Sequence, residues 1–306
     1  MIDMKTNPEV LQAIQDKKPI VALESTIISH GLPFPENHKT ALALEKEVRR
    51  QGAVPATIAI INGHIKVGLE SEDLEVLANP KSQVEKISRR DLPSIIQAQG
   101  HGATTVAATM IIAAKSNIQI FATGGIGGVH RGAQTSFDIS ADLQELVKTN
   151  VCVVCAGPKA ILDLNLTMEY LETNGVPVLG YRTEELPAFW SRNSGIYGIL
   201  PYETASEIAA FLNLKWSFPL SGGALVTNPI LDADEIPEAQ VRSWIEDALN
   251  ETKSKKVTGK EITPFVLDYI RLASRGRSVE TNISLVKNNA KLAAQIAIEL
   301  KKLNQS

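Results

Sequence analysis

The sequence has 306 residues, of which 44% are hydrophobic and 21% are charged, a composition typical of a globular protein rather than a disordered or fibrous one. Its formal net charge of −3 argues against nucleic-acid binding, because affinity for a phosphate backbone depends on clustered Lys and Arg. The first twenty residues lack the features of a signal peptide, and the longest apolar run, near Val106–Ala114, is too short to span a bilayer. We therefore expect a cytoplasmic protein with no membrane role.

Short apolar runs alternate along the chain with longer segments of helical period, which is the pattern of an α/β fold. The pair Asn62-Gly63 between two of these runs accepts positive φ and predicts one β-hairpin in an otherwise mostly parallel sheet. The predicted strands are Ile20–Leu23, Thr57–Ile61, Ile65–Leu69, Ile118–Ala122, Val151–Cys155, Val176–Gly180 and Ala224–Thr227.

The helix predictions depend on period and on end signals. Gly52 and Gly175 suit a left-handed helix cap, whereas Pro158 and Pro237 suit a first helical turn. The polar stretch Asn250–Lys260 is the one linker-like segment, and we interpret it as a solvated loop inside a single domain, 1–306. The predicted helices are 36–51, 103–115, 137–149, 159–173, 203–213, 238–253 and 280–302.

The two cysteines, Cys152 and Cys155, have the spacing of a redox pair. Their surroundings are rich in β-branched residues and predict a buried strand, in which positions three apart point to opposite faces. Small apolar filler is therefore the better interpretation of both thiols.

Glu24 follows the first predicted strand and precedes Ser25 and Thr26. Because ligands of open α/β sheets bind at the carboxyl ends of strands, an acid there is well placed for proton transfer. The alternative is a carboxylate that caps or pairs locally. The loop that follows, residues 27–37, is rich in turn-forming residues and could fold over a site.

Five glycines surround the strand-to-loop transition at residues 121–132. Glycine lets backbone N–H groups approach a phosphate closely, so the segment Gly124–Gly128 is a candidate anion cradle. A dinucleotide fingerprint is not matched, because its third glycine position holds His130. That histidine is either structural or a hydrogen-bond donor beside the cradle.

Acidic and hydroxyl side chains cluster at the start of the predicted helix 137–149. Asp138 and Asp142 would lie one turn apart on one face, with Ser140 between them. Acids in a first turn complement the helix dipole, which is one explanation. Oxygen ligands for Mg²⁺ or Mn²⁺ are the other, and the spacing does not decide between them.

Lys159 would fall in the first turn of the predicted helix 159–173, beside the positive end of its dipole. Most lysines favour the other end. A lysine held there should lose its proton more readily, and a neutral amine is the form that attacks a sugar aldehyde.

Taken together, these segments resemble the pseudouridine-5'-phosphate glycosidase family, also called the indigoidine-synthase-A-like family. The resemblance extends over almost the whole chain. The motifs that carry it occur in the order ALESTIISHGLPFPEN, SRRDL, GATTVAATM, FATGGIGGVHRG, FDISADL, CAGPKAILDL and SVETNISLVKNNA. The family reads PKS or GPKS where this chain has Gly157-Pro158-Lys159-Ala160, a difference that leaves the lysine in place.

The resemblance implies roles for individual residues. It implies that Lys159 is the nucleophile that forms a Schiff base with C1′ of the opened ribose, and that Glu24 is the proton donor. It also implies that Asp138 holds a Mn²⁺ ion, one per subunit, through a largely aqueous shell. The residues implied to contact substrate, or to surround its phosphate and sugar, are Lys86, Val106, Thr123, His130, Ser140, Ala141, Asp142 and Asn282.

The implied reaction is reversible cleavage of the C–C glycosidic bond of pseudouridine 5′-phosphate to uracil and ribose 5-phosphate, a lyase activity. A C–C bond offers no basic leaving-group atom to protonate, so the two-carboxylate scheme of ordinary glycosidases suits it poorly. A Schiff base supplies the missing electron sink. The resemblance further implies a homotrimer of three-layer α/β/α subunits and a separate pseudouridine kinase as pathway partner.

Two alternatives stay open. A Schiff-base aldolase acting on another phosphosugar would keep Lys159 and the anion loop but would not need a uracil pocket. A non-enzymatic nucleotide-binding protein would use the glycine-rich segment and leave Lys159 and Glu24 without a role. Release of uracil from pseudouridine 5′-phosphate separates both from the glycosidase.

Overall fold

The computed structural model describes residues 4–218, 220–257 and 262–304. Its strands are β1 (Met4–Thr6), β2 (Ile20–Leu23), β3 (Val54–Ile61), β4 (His64–Val67), β5 (Val84–Ile87), β6 (His101–Thr104), β7 (Ile120–Ala122), β8 (Cys152–Cys155), β9 (Val178–Tyr181), β10 (Leu200–Tyr202) and β11 (Ala224–Thr227). Its helices are α1 (Pro8–Gln15), α2 (Glu36–Gln51), α3 (Ser71–Ala78), α4 (Leu92–Gln97), α5 (Val106–Lys115), α6 (Ala133–Ser136), α7 (Ala141–Lys148), α8 (Leu164–Thr173), α9 (Ala205–Ser217), α10 (Glu238–Ser254), α11 (Ile262–Ala273) and α12 (Arg277–Leu303).

The strands form one mixed sheet in the order β1-β4-β3-β2-β7-β8-β11-β9-β10, with β6 pairing β3 and β5 pairing β6. Among the described strands, the antiparallel pairs are those of β3 with β4 and with β6. The remaining pairs are parallel. The prediction of a mostly parallel sheet is therefore confirmed.

The predicted hairpin joins β3 to β4. Ile61 pairs with His64, and the two residues between them, Asn62 and Gly63, both have positive φ, 50° and 71°. Two positive φ values are what a type I′ turn requires, and Asn-Gly meets that requirement with little strain. The hairpin is confirmed.

Helices cover both faces of the sheet. One core cluster contains Val21 and Leu23 of β2 with buried residues of α2, α9, α10, α11 and α12. A second contains Ala22 of β2 with buried residues of α1, α5 and α7. Because neighbouring strand residues point to opposite faces, β2 contributes to both cores. The result is the expected three-layer α/β/α arrangement.

Three predicted helices begin three or more residues later than expected. The helix predicted from 103 begins at Val106, because residues 101–104 form β6. The helix predicted from 137 begins at Ala141, where Ser140 is the N-cap and accepts the N–H of Asp142 at 3.2 Å. The helix predicted from 159 begins at Leu164, where Asp163 is the N-cap.

The interpretation of the cysteines as buried filler is confirmed. Cys152 belongs to the first core cluster and Cys155 to the second, so the thiols lie on opposite faces of β8 and are not disulfide-bonded. Burial raises the pKa of Cys155 to about 12 and raises the pKa of Cys152 as well. Neither thiol is a nucleophile at neutral pH.

The predicted loop Asn250–Lys260 is in part helical, because α10 continues to Ser254. Residues 258–260 of that stretch lie outside the described residues. None of the described helices is long and apolar enough to cross a membrane.

Candidate active site

The carboxyl ends of β2, β7 and β8 carry the central residues of the site. Leu23 of β2 pairs with Ala122 of β7, so the residues that follow them, Glu24 and Thr123, lie side by side. The Thr123 hydroxyl donates a short hydrogen bond to a Glu24 carboxylate oxygen. Neighbouring β8 leads directly into the segment that holds Lys159.

Glu24 is densely surrounded, although part of its surface reaches solvent. Desolvation raises the pKa of its carboxyl above the ordinary value, and the Lys159 ammonium and the Thr123 hydrogen bond act in the opposite direction. Asp142 adds to the rise in the Glu24 pKa, and Lys86 opposes it. The structure therefore brings Lys159, Asp142 and Lys86 within electrostatic reach of Glu24.

Lys159 lies in an irregular segment of bends and turns, the Lys159 loop (Ala156–Asp163), rather than in a helix. Its backbone N–H donates to Ile126 O at 3.1 Å, and Ala156 N–H donates to Gly124 O at 2.9 Å. The helix begins five residues after Lys159, so the predicted dipole effect on this lysine is wrong. Gly157 and Pro158 form a turn before Lys159, and Gly157 has a φ of +89° there.

The glycine loop (Gly124–Gly128) packs closely against other parts of the protein. A Cβ on Gly125 would lie 2.6 Å from the Phe189 ring, and one on Gly128 would lie 2.5 Å from Thr167 Oγ1. The N–H of Ile126 donates to Gly157 O at 3.3 Å, and that of Gly127 donates to Asp142 at 2.8 Å. Because these two N–H groups already bond to protein acceptors, they are not available to a phosphate. The predicted phosphate cradle would have to use other N–H groups of the loop.

Asp142 links two helix starts to the glycine loop. Its Oδ1 accepts the N–H of Ala107 in the first turn of α5 at 2.9 Å, and its Oδ2 accepts the N–H of Gly127. Val106, before Ala107, is only 2% exposed, so little of this residue is open to a ligand. Ser140 and Ala141 lie at the start of α7, beside this junction.

His130 and Asp138 face each other at the exposed end of the site. His130 Nδ1 lies 3.9 Å from Asp138 Oδ2, and the backbone N–H of His130 donates to Asp138 O at 3.0 Å. Desolvation lowers the pKa of His130, the charge of Asp138 raises it, and Lys159 and Lys86 lower it. Asp138 and Asp142 are not on one helix, contrary to the prediction, because α7 begins only at Ala141.

The surroundings of Asp138 suit a metal ion held by one carboxylate and otherwise by water. Within the described ranges there is no group of three His, Cys, Asp or Glu side chains that could hold an ion. Asp138 is 44% exposed and offers one carboxylate. A hard ion with a mostly aqueous shell fits this residue, whereas a closed protein cage does not.

A buried hydroxyl cluster joins the end of β2 to β3 and to β6, with which β5 pairs. Ser25 Oγ donates to Ile58 O at 2.7 Å and accepts the N–H of Thr104 at 2.8 Å. Thr26 Oγ1 donates to Thr104 O at 2.8 Å. These bonds fix the corner where Lys86, on β5, comes within electrostatic reach of Glu24.

Asn282 on α12 is joined to the site indirectly. Its Oδ1 accepts the indole N–H of the buried Trp190 at 2.6 Å, and the Trp190 ring lies 5.2 Å from that of Phe189, which packs on Gly125. The sequence interpretation missed Phe189 and Trp190, which lie in an irregular segment with no periodic signal.

The sequence interpretation also missed Asn289, which is fully buried on α12 and donates to Thr123 O at 2.9 Å. The signal was present: two consecutive asparagines, Asn288 and Asn289, interrupt an apolar helical period in the last motif.

A cavity of about 380 Å³ borders the Lys159 loop. Arg131, Asp163 and Arg242 contribute to its lining, but Glu24, Thr123 and Lys159 do not. Its charges are of both signs, with Arg242 paired to Glu238. We therefore place the chemistry at the strand ends and not in this cavity.

Comparison with known proteins gives a consistent result. A model of the family described as indigoidine synthase A like protein matches residues 9–299. The chain is similar to the pseudouridine-5'-phosphate glycosidase of Solibacter usitatus, with 57% identity covering 97% of this chain and 99% of the relative. It is similar to the Escherichia coli protein of the same name, with 55% identity covering 98% of this chain and 96% of that protein.

Two solved structures share the fold. The prealnumycin C-glycosynthase AlnA, in complex with ribulose 5-phosphate, has a TM-score of 0.92 and 37% identity, covering 99% of this chain and 98% of that chain. An indigoidine synthase A-like protein from Thermotoga maritima has a TM-score of 0.88 and 32% identity, covering 98% of this chain and 97% of that chain.

Proposed function

We propose that this chain, which belongs to the indigoidine synthase A like protein family, cleaves the C–C glycosidic bond of pseudouridine 5′-phosphate to uracil and ribose 5-phosphate. The observation that carries the proposal is the meeting of Glu24, Thr123 and Lys159 at the ends of neighbouring parallel strands. The similarity to the glycosidases of Solibacter usitatus and Escherichia coli over nearly the full length supports it.

In the proposed reaction, Lys159 Nζ forms a bond to C1′ of the ribose as the bond from C1′ to the ring oxygen breaks, and the ring oxygen takes up a proton. The lone pair on nitrogen then drives cleavage of the bond from C1′ to uracil C5, which also takes up a proton. The resulting Schiff base adds water and releases ribose 5-phosphate and the free amine. The sum is substrate plus water giving uracil plus ribose 5-phosphate.

Glu24 is the group we assign to proton transfer. Its raised pKa lets it carry a proton nearer neutral pH than an ordinary glutamate does, which suits a general acid. The Thr123 hydroxyl orients the carboxylate. The Lys159 ammonium lies within electrostatic reach of the Glu24 carboxylate and lowers its pKa.

We assign phosphate binding to Lys86, whose charge acts on His130, and to His130 as a hydrogen-bond donor. Ser140 and Ala141 are neighbouring donors, and Thr123 lines the site beside them. Asp142, whose oxygens are occupied by backbone N–H groups, shapes this pocket from behind. Val106 would line the pocket at the start of α5. Asn282 would contribute its amide nitrogen, because the Trp190 indole N–H occupies its oxygen.

Mn²⁺ at Asp138 would supply positive charge beside His130 and the start of α7. On the resemblance alone, we also propose that the chain forms a homotrimer and that a separate kinase makes its substrate from pseudouridine. The similarity to a C-glycosynthase raises the reverse direction, bond formation, as a second activity of the same site. The higher identity to the glycosidases favours cleavage as the main one.

The test of the reaction is release of uracil from pseudouridine 5′-phosphate, measured by absorbance and confirmed by chromatography. Lys159→Ala should abolish release, and Lys115→Ala, a change to an exposed lysine at the end of α5, should leave it intact. An enzyme that releases no uracil but condenses other phosphosugars would be an aldolase, and the proposal would be wrong.

The covalent step has its own test. Borohydride added to the enzyme with ribose 5-phosphate should trap the Schiff base, and intact mass should rise by one reduced sugar phosphate per chain. Peptide mapping should locate the adduct on Lys159. An adduct on another lysine, or turnover by Lys159→Ala, would refute the assigned mechanism.

A further inference from the structure

A buried asparagine pair lies behind the strand ends that carry the site. The side chain of Asn289, on α12, is fully buried, and its Nδ2 donates to Thr123 O at 2.9 Å and to Gly124 O at 3.4 Å. Its Oδ1 accepts from Asn228 Nδ2 at 3.1 Å. An apolar residue at position 289 would leave the C=O of Thr123 without this donor, so the pair does more than fill space.

The donor and acceptor pattern allows one orientation of both amides. The two carbonyl oxygens only accept, so Asn289 must turn its nitrogen toward Thr123 and Gly124. Its oxygen then faces Asn228, which must supply its own nitrogen. Asn228 in turn donates its backbone N–H to Cys155 O at 2.8 Å, at the end of β8.

The pair therefore connects α12 and the end of β11 to the two strand ends on which Thr123 and the Lys159 loop depend. The Thr123 backbone is held from both sides, since its N–H donates to Val154 O at 3.0 Å and its C=O accepts from Asn289. With the backbone fixed, the hydroxyl can point at Glu24, to which it donates.

We propose that Asn289, oriented by Asn228, is a positioning residue that fixes the Thr123 backbone so that the Thr123 hydroxyl meets the Glu24 carboxylate during bond cleavage. The part about cleavage rests on the function proposed above. Asn289 itself lies behind the strand ends and acts only through Thr123.

The effect of losing Asn289 has a definite sign. The charged groups that act on Glu24 are Lys159, Asp142 and Lys86, and replacing the neutral Asn289 leaves all three in place. The Thr123 hydrogen bond lowers the pKa of Glu24, so a displaced hydroxyl raises the pKa of that carboxyl. The limb of the pH–rate profile that reports Glu24 should therefore move to higher pH.

The test compares Asn289→Ala with Asn288→Ala, a change to the neighbouring half-buried residue whose Nδ2 donates to Pro229 O at 3.3 Å. Asn289→Ala should lower kcat about tenfold or more, as loss of a supporting hydrogen bond behind a catalytic group does, and should shift the pH limb upward. Asn288→Ala should not shift the limb. A limb unmoved in Asn289→Ala overturns the proposal, whatever happens to thermal stability.

A double-mutant cycle tests the route through Thr123. Thr123→Val removes the hydroxyl and should shift the limb in the same direction. The double variant Thr123→Val/Asn289→Ala should show no further shift, because the two changes remove the same bond. Additive shifts would mean that Asn289 acts by another route and would refute the proposal.

A second variant and a measurement that needs no turnover allow the positioning role to be tested independently of the proposed function. If Asn289→Ala does not fold, Asn228→Ala removes the group that orients Asn289 and should give a smaller shift of the same sign. ¹³C NMR titration of labelled glutamate carboxyls, with Glu24→Gln assigning the signal, measures the shift without turnover. No cleavage by the wild type refutes the function alone, and an unshifted Glu24 signal refutes the positioning role.

Discussion

Gly127 donates its backbone N–H to Asp142 Oδ2 over 2.8 Å, a bond that joins the glycine loop to the first turn of α7. The approach requires glycine, because a Cβ on Gly127 would lie 2.2 Å from Ser140 Oγ and 2.8 Å from the same Asp142 oxygen. Neither neighbour can retreat without breaking its own hydrogen bonds to backbone.

Gly127→Ala should therefore destabilise the fold by about 1–3 kcal/mol, the usual cost of overpacking, and should lower kcat as the loop shifts. Differential scanning calorimetry measures the first effect and uracil release the second. Gly124→Ala is the stability control, because its Cβ would meet Leu285 at an ordinary 3.4 Å. Equal melting temperatures for the two variants would contradict the prediction.

Replacement of Glu24 by glutamine should stabilise the folded protein at neutral and alkaline pH. A carboxyl whose pKa is raised in the folded state favours folding at acid pH and opposes it once the pH passes the folded pKa. The neutral amide removes this opposition. The gain in Tm should be present at pH 8 and vanish below about pH 4, where an ordinary glutamate is largely protonated.

Glu9 is a matched control, because its pKa is lowered in the folded protein whereas that of Glu24 is raised. Arg49 Nε donates to it at 2.9 Å, and this hydrogen bond lowers the pKa of Glu9. Glu9→Gln should therefore lose a little stability at neutral pH and none at low pH; the loss is small because the side chain is 42% exposed. If Glu24→Gln lowered the Tm at pH 8 as Glu9→Gln does, the environment assigned to Glu24 would be wrong.

Metal removal should abolish activity without unfolding the protein, because Asp138 is exposed and lies on a loop rather than in a structural cage. Chelation followed by circular dichroism and assay tests this, with Mn²⁺ added back. Asp138→Asn should have the same effect, whereas Asp247→Asn, at an exposed site on α10, should not. Full activity after chelation would remove the metal role.

Thiol reagents should leave the native protein unmodified at pH 8. Cys152 and Cys155 are fully buried, and burial raises the pKa of both thiols. Mass spectrometry should show no adduct before denaturation and two after it. Rapid native labelling would show that β8 opens far more readily than its packing indicates.

Local chemistry explains what could be predicted from the sequence. The Asn62-Gly63 turn follows from two residues that tolerate positive φ, and the face of each cysteine follows from strand alternation. Dependence on local chemistry also explains why the start of α8 was mispredicted. Pro158 resembles a helix-starting residue locally, but it forms a bridge with Ile126 on a distant segment, and Asp163 caps the helix instead.

Contacts between residues that are remote in sequence explain which features of the site could not be predicted. Asn289 and Thr123 are 166 residues apart, and their bond exists only because α12 packs over the end of β7. Glu24 and Thr123 are 99 residues apart and were both named, yet nothing in the sequence indicated that they touch. Residue types can be inferred from local motifs, whereas their pairing depends on the order of strands in the sheet.

The position of α12 has a consequence for synthesis of the protein. This helix supplies Asn289 and covers the face of β2 that holds Val21 and Leu23, but it follows every described strand in the chain. A nascent chain emerges from its N-terminus, so β2, β7 and β8 can pair while the part of that face that α12 covers is still exposed. Until α12 emerges, the nascent chain exposes apolar surface, which makes chaperone protection most valuable before the last helix is complete.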